Sequence, residues 1–522
     1  TAPKNTFKYP LPLSNMRHSL ISFALCYRRL RLSELLLLGV IGLTTSLPLA
    51  AEQVLFAFDN RSLPFQEGMR LKLVGFRTSA QGLSNMAVAP GPAGSPDRLG
   101  MLFYGSVCEV NGEYWMWYLG LGEPDGRRHP RACFARSRDG RNWEKPALNL
   151  VDFAGSQENN LVKFSSGDFP LIGCVVLHDP DDPDPNRRFK MVFEAVKHQY
   201  GLSVAYSPDG MLWKESPDNP RGPWLEPGGL IKRNGVYYVN GQGKGHWAPG
   251  DPMTERVLVT HTSYDFEKWT QPSVLGFRRD ALPPRSTPLT GKEDGPQVHV
   301  GASVWNRGNV LVGFYGMWHG HPSNDRRLVT IDLGLLVSHD GLHYHEPIPD
   351  FPIVSAREVT WDLPYVRAPA LMQGQAFANV GNETLSWYSV WGVPAAGIRV
   401  AKWQRDRLGY LQPFHGPAQK AQIISDVIEI GEQPVTISLN VTGLSDLTHV
   451  RVAVLDEQFR ELPGYGATES LEITQSGFRR NVSWKSKDQL VHQGRIRLRV
   501  EFGGVRPEDA KLYAIYISAL KE

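Results

Sequence analysis

Carboxylates stand just ahead of three β-prone runs in this chain of 522 residues. Glu226 precedes Pro-Gly-Gly-Leu-Ile, Glu293-Asp294 precede Gly-Pro-Gln-Val-His299, and Asp362 comes before the run that begins at Ala368. A carboxyl at the lip of a strand can give or take a proton if its surroundings tune it toward the working pH. Two of them on either side of a bond can divide the labour, one protonated and one charged. Glu293 and Asp294 stand in nearly the register of Glu226, so Glu226 with either is a candidate pair. Polar and aromatic residues gather around the same runs. His299, Trp305, Arg307, Trp318, His319 and His321 form one group; Gln373, Gln375 and Asn379, with Arg367 ahead of them, form another. Trp faces stack on sugar rings, while Arg, His, Gln and Asn hydrogen-bond hydroxyls. His319-Gly-His321 supplies two imidazoles without an identified third ligand, so no metal is expected.

The elements that must position these residues repeat. A turn ending in an aromatic appears as Ser137-Arg-Asp-Gly-Arg-Asn-Trp143, Ser207-Pro-Asp-Gly-Met-Leu-Trp213, Ser263-Tyr-Asp-Phe-Glu-Lys-Trp269 and Ser338-His-Asp-Gly-Leu-His-Tyr344, with a degenerate fifth copy ending at Tyr410. Asp-Gly supplies the positive φ of a tight hairpin, and the aromatic opens the next strand. Before each copy lie two alternating runs joined by a hairpin, for example Tyr104 to Val110 and Tyr114 to Tyr118 around Asn111-Gly112. The unit of four strands returns every ~55–75 residues, which is the signature of propeller blades. Trp143, Trp213 and Trp269 then read as blade packing. After Pro417 the marker disappears and alternating strands continue to the end, as in a β-sandwich. The fold expected is all-β: a five-bladed β-propeller over residues 99–416, followed by a C-terminal β-sandwich over 417–522. Residues 52–98 form an N-terminal strap, with Val54 to Phe58 expected to close the ring.

At these segments the chain resembles the five-bladed glycoside hydrolases related to invertase, fructanase and arabinanase. It is most similar to secreted members of the family 32 or family 43-like group in planctomycete-type bacteria. The matching segments include Tyr104-Gly-Ser with Met116-Trp-Tyr-Leu-Gly120, His178-Asp-Pro-Asp-Asp-Pro-Asp-Pro185, Glu226-Pro-Gly-Gly229 with Tyr237-Tyr-Val-Asn-Gly-Gln242, and Val298 to Asn309. The resemblance implies two carboxyls on the innermost strands of the first and third blades, and a third carboxylate on the second. In the third blade Glu226 falls in register with the family's acid, so it is the general-acid candidate. The other two positions depart from the pattern. The first blade has Tyr104-Gly105-Ser106 and the second Ile172-Gly-Cys174, while Asp179, Asp181, Asp182 and Asp184 fall in a turn expected to be solvated. Glu226 with Glu293 or Asp294 would be a rearranged pair.

The expected function is cleavage of a glycosidic bond in an oligo- or polysaccharide. A non-catalytic carbohydrate-binding propeller is the first alternative. A phosphorylase is the second, and it would want basic residues such as Arg307 and Arg367. The net charge of +3 gives no electrostatic case for nucleic acid. No phosphate-binding loop, dinucleotide glycine motif or Gly-x-Ser-x-Gly elbow is present, and no cofactor is expected. Cys108, Cys133 and Cys174 show neither a disulfide framework nor metal-type spacing.

The leading residues carry a signal-peptide pattern from Met16: Arg17, Arg28, Arg29 and Arg31, then the apolar run 35–49, then Ala50-Ala51. Residues before Met16 read as upstream of the native start. The apolar run is broken by Thr44, Thr45, Ser46 and Pro48 and is short for a span of ~20 residues, so no membrane association is expected after cleavage. The mature protein should therefore be recovered from the periplasm or medium, and N-terminal sequencing should begin close to Glu52. An intact leader in the membrane fraction would show an anchor instead.

Overall fold

The structure, a computed structural model, describes residues 52–76, 86–245, 254–279, 294–323, 325–356, 368–391, 397–414 and 420–520. Alternating apolar, β-branched and aromatic residues make strands along nearly all of it. The complete helical elements among the described residues are short 3-10 turns.

Five antiparallel sets of strands follow one another. Their first strands are β1 (Gly100–Val110), β2 (Leu171–His178), β3 (Glu226–Arg233), β4 (Pro296–Asn306) and β5 (Leu371–Val380). From β1 the first set runs outward through Glu113–Leu121 and Arg131–Ser137. The second runs from β2 through Phe189–Ala195, Ser203–Ser207 and Leu212–Glu215, and the third from β3 through Val236–Gly245, Thr254–Ser263 and Val274–Phe277. From β4 the fourth continues through Leu311–His319, Thr330–Ser338 and Pro352–Val354. The fifth passes from β5 through Glu383–Val390 and Ile398–Gln404 and is completed by Met86–Val88. Each first strand lies against the next, and β5 returns to β1 through a parallel pairing of Gln375 with Ser106. The arrangement is propeller-like.

The four marker turns are one structure repeated. The Ser hydroxyl accepts the N–H three residues on, at 2.9 Å for Gly140, 2.8 Å for Gly210, 2.9 Å for Phe266 and 3.0 Å for Gly341. The Asp carboxylate caps the next two N–H groups in every copy. The closing aromatic donates back to the same turn: Trp143, Trp213 and Trp269 through Nε1, Tyr344 through its hydroxyl. Neighbouring sets dock on these turns. Trp117 Nε1 reaches Gly210 O at 2.7 Å, Trp387 Nε1 reaches Gly140 O at 3.0 Å, and the Tyr206 hydroxyl reaches Phe266 O at 3.3 Å.

The fifth copy departs from the pattern. Tyr410 lies on Gly409–Pro413, which pairs with Met69–Leu73 and with Leu512 rather than with the fifth set. Val54 to Phe58 does not close the ring either. Gln53–Phe56 pairs with Lys511–Ala519, and the strand beside Ile398–Gln404 is Met86–Val88. The chain after residue 420 forms two sheets that share one core, built from Ile437, Leu439, Ile515 and Ile517 on one side and Val450, Val452, Leu498 and Val500 on the other. Both sheets borrow strands from residues 52–76. The acidic turn after β2 is not simply solvated. Asp179 is buried and accepts from Lys190, Lys232 and Tyr237, tying the second set to the third. Cys108 and Cys174 are free thiols pushed up to about 12 by burial, which leaves them unreactive.

The docking on the marker turns sets a test. Gly112 and Gly210 have almost the same φ, +79° and +76°. A Cβ on Gly112 would meet nothing, whereas one on Gly210 would lie 2.7 Å from the Trp117 ring. Gly112→Ala should therefore cost about 1–2 kcal/mol, the left-handed penalty alone. Gly210→Ala should cost roughly 1–3 kcal/mol more, from overpacking. Urea unfolding of the two variants measures the difference.

Candidate active site

A cavity of about 580 Å³ opens where the first strands meet. Its walls come from every set. Tyr104 is on β1, and Glu194 ends the second strand of the second set. Glu226 opens β3 opposite Gln242, and Arg256 is on the third strand of that set. His299 on β4 and Trp318 on the strand beside it form the fourth wall, and Trp391 follows the second strand of the fifth set. Tyr200, Trp224 and Arg326 come from loops and turns.

Local backbone irregularities aim these side chains. The pairing of β4 shifts register between His299 and Ala302, and there Val300 takes φ +59°. A β-branched residue in that region is strained by roughly 1–3 kcal/mol. The tight 3-10 turn after Ala195 puts both Gln199 and Tyr200 at positive φ, and the Tyr200 N–H is held by Ala195 O at 3.1 Å. Glu194 and the exposed Tyr200 ring are thereby fixed to the same turn.

The chemistry lies in two carboxyls. Glu194 is 3% exposed; Oε1 accepts from Trp224 Nε1 at 3.1 Å, and Oε2 has no hydrogen-bond partner. Burial, and then the charge of Glu226, push Glu194 far above the ordinary carboxyl range. Burial raises Glu226 too, and Arg256 and Arg326 offset only part of that rise. In a poorly solvated cavity the charge of Glu226 disfavours a second charge on Glu194. The proton they share belongs on Glu194, which faces no guanidinium, and the charge on Glu226, which faces two.

Aromatic rings enclose the pair. His299 lies 5.7 Å from Trp318 and 5.9 Å from Trp391, centroid to centroid. The Arg256 guanidinium sits 4.1 Å above Trp318, and that of Arg326 is 5.6 Å from Trp391. The buried Tyr104 hydroxyl stands 3.4 Å from His299 Nε2, and burial keeps it protonated. The arrangement can hold a proton on one carboxyl, a charge on the other and a ring-shaped ligand between aromatic faces.

Of the residues expected from sequence, Glu226, His299 and Trp318 line this cavity. Asp294 does not; its carbonyl accepts from Gln297 at 2.9 Å at the start of β4. Glu293, Asp362 and Arg367 lie outside the described residues. Gln373 and Gln375 act on backbone instead of lining the cavity. Gln373 donates to His299 O and Gly301 O at 3.0 Å, bracing the shifted register, and Gln375 bonds both polar groups of Leu230 across to β3. Trp305 stacks on Phe377, and Arg307 lies over Trp305 while pairing with Asp406. These two lock packing at the far end of β4 and do not reach the cavity. His319 is held by Asp332 at 3.1 Å and His321 by Ser323 at 2.6 Å. Among the described residues no cluster of three or more His, Cys, Asp or Glu converges as a metal site. Glu194, Arg256 and Arg326 escaped the sequence reading. The available signal for Glu194 was a lone acid at the end of the apolar strand Phe189–Ala195.

No family model and no curated protein matches the chain. Solved structures similar to it include one from Parabacteroides distasonis assigned as a glycoside hydrolase, 13% identical, with a TM-score of 0.41 over 63% of this chain and 97% of that one. A glycosyl hydrolase from Bacteroides ovatus is 15% identical, with a TM-score of 0.39 over 65% and 96%. A family 43 arabinoxylan arabinofuranohydrolase from Bacillus subtilis is 9% identical, with a TM-score of 0.38 over 86% and 99%. At such identities no residue role passes from them to this chain.

The raised pKa of Glu194 has a consequence for stability. A carboxyl whose folded value exceeds its unfolded one gives stability that is fully present below the unfolded pKa and is lost progressively as pH rises toward the folded value. Glu194→Gln removes that loss. Relative to wild type, the variant should gain stability steadily from pH 4 to pH 8 in thermal unfolding, and a pH-independent difference would contradict the shift.

Proposed function

We propose that the chain is a glycosidase in which Glu194 is the proton donor and Glu226 its charged partner. The observation that carries this reading is the pair itself: two carboxyls in one aromatic-walled cavity, with the cations on the side of Glu226 alone. Glu194 gives its proton to the glycosidic oxygen as the bond from that oxygen to the anomeric carbon breaks. Glu226 takes a proton from the water that attacks the carbon, or attacks the carbon itself and is later released by water. Glu226 was expected to be the acid; the placement of Arg256 and Arg326 favours the exchange of roles.

The same reading takes the five strand sets as the blades of one propeller and the two sheets after residue 420 as a β-sandwich completed by the N-terminal strands. Export by way of the leader fits an enzyme acting on external polysaccharide. The rival reading, a module that binds carbohydrate without cleaving it, draws on β1, where Tyr104 lines the cavity and Glu109, the carboxylate of that strand, does not.

Substrates with poor and good leaving groups separate these readings. Glu194→Gln should lower turnover about 10²–10⁴-fold on an oligosaccharide and far less on a dinitrophenyl glycoside, whose departure needs no proton. On the activated substrate the variant should also lose the alkaline limb of the pH profile and keep the acid limb, which belongs to Glu226. Glu226→Gln should fail on both substrates. Equal losses on both for Glu194→Gln would remove it as donor, and sugar binding without cleavage by wild type would favour the binding module.

A further inference from the structure

A second cavity, of about 410 Å³, lies between the fifth strand set and the sheets after residue 420. Asn382 and Glu383 come from the hairpin after β5, Gln404, Arg405 and Arg407 from the end of Ile398–Gln404 and the turn beyond it, and Phe478 from Gly477–Asn481. Glu383 opens the strand Glu383–Val390 and Trp391 follows it, so the length of that strand, roughly 25 Å at ~3.3 Å per residue, separates this cavity from the central one. Its charges do not balance. Glu383 is already paired with Arg141. Asp406, buried at φ +60°, is engaged by Arg307, Asn379 and Tyr516. Among the described residues, Arg405 donates from Nη1 to Gly381 O at 3.1 Å and packs 5.1 Å from the Phe478 ring, while its Nε is buried with no hydrogen-bond partner. Arg407 donates from Nε to Asn440 Oδ1 at 2.8 Å and from Nη1 to Gln404 Oε1, and lies 4.8 Å from the Tyr513 ring. Every one of these partners is neutral. Burial holds Arg407 below the usual guanidinium range, opposed only by tyrosines and by no carboxylate. Nη2 of each arginine makes no hydrogen bond to a described residue. Half-buried cations without a counter-charge are costly, and an oxyanion accepting from both would offset that cost.

We propose that this cavity binds the carboxylate of an acidic sugar, gripped by Arg405 and Arg407, and so holds a polyuronate chain at a distance from the central cavity. The exposed amides of Asn382 and Gln404 stand beside the arginines and suit the hydroxyls of the same sugar. A free phosphate would answer the guanidiniums and leave the amides unused. The preference for an anion rests on this cavity alone; the choice of a sugar to carry it rests on the reading of the chain as a glycosidase.

Calorimetric titration of the full chain with trigalacturonate, its neutral counterpart galactotriose and inorganic phosphate tests this without requiring cleavage. Trigalacturonate should bind at least about ten-fold more tightly than galactotriose, and Arg405→Gln should weaken trigalacturonate by about 10- to 100-fold while leaving galactotriose nearly unchanged. Arg405→Lys keeps the charge, loses the fork and should fall between Arg405→Gln and wild type. Arg405 is the residue to change, because its guanidinium bonds only Gly381 O among the described residues, whereas Arg407 also braces Asn440. Phosphate bound as tightly as trigalacturonate, with the same loss in Arg405→Gln, would overturn the sugar and leave a free anion as the ligand. Trigalacturonate binding that Arg405→Gln weakens, in a protein that cleaves nothing, keeps this inference and overturns only the glycosidase reading. No binding of any probe, equal affinity for trigalacturonate and galactotriose, or a preference that survives Arg405→Gln overturns this site and leaves the roles of Glu194 and Glu226 untouched.

Discussion

At the centre of the strand sets, backbones approach more closely than a side chain permits. A Cβ on Gly228 would run into the carbonyl oxygen of Val300, so β3 and β4 can be this close only because position 228 carries none. That contact fixes Glu226, two residues earlier, and His299, one residue before Val300, relative to each other. Gln375 extends the same constraint by bonding the N–H and C=O of Leu230 from the fifth set. The cavity thus sits on backbone contacts and amide side chains, which hold geometry better than flexible side-chain packing would.

What the cavity does with that rigidity is electrostatic. Removing water from two neighbouring carboxyls raises the cost of charging both, and the asymmetric placement of two arginines decides which stays charged. The indoles contribute twice. Trp224 binds Glu194 directly, while Trp318 and Trp391 carry the guanidiniums. Proton distribution in the pair is therefore set by residues from the second, third, fourth and fifth strand sets together.

The legible parts of this molecule were those written locally. Ser-x-Asp-Gly turns announce themselves because one Ser and one Asp satisfy the turn's own N–H groups, and they do so even where Phe266 replaces Gly at φ +64°. Glu226, His299 and Trp318 were visible because they flank strand ends rich in cavity-type side chains. Trp305 and Arg307 looked like the same group, yet six residues of strand separate 299 from 305, roughly 20 Å at 3.3 Å per residue. Closeness in sequence hid distance along the strand. Glu194 was missed for the opposite reason: it belongs to a second strand and reaches the centre past Gly173, the partner of Glu194 on β2. Arg256 and Arg326 have no local pattern at all; only the assembled sheets bring them to Glu226.

The strands near the start of the chain have one further consequence. Met86–Val88 finds its partner in Ile398–Gln404, and Gln53–Phe56 finds its own in Lys511–Ala519. During synthesis these segments emerge well before their partners, which follow several hundred residues later. Contacts of such long sequence separation form slowly, because the loop they close must be ordered before it is rewarded. Until then Ile398–Gln404 presents an open edge, the kind of surface on which unfinished chains associate. The molecule therefore has a late-closing seam where Gln53–Phe56 meets Lys511–Ala519 and Met86–Val88 meets Ile398–Gln404. Once closed, that seam makes each later strand and its earlier partner hold each other in place.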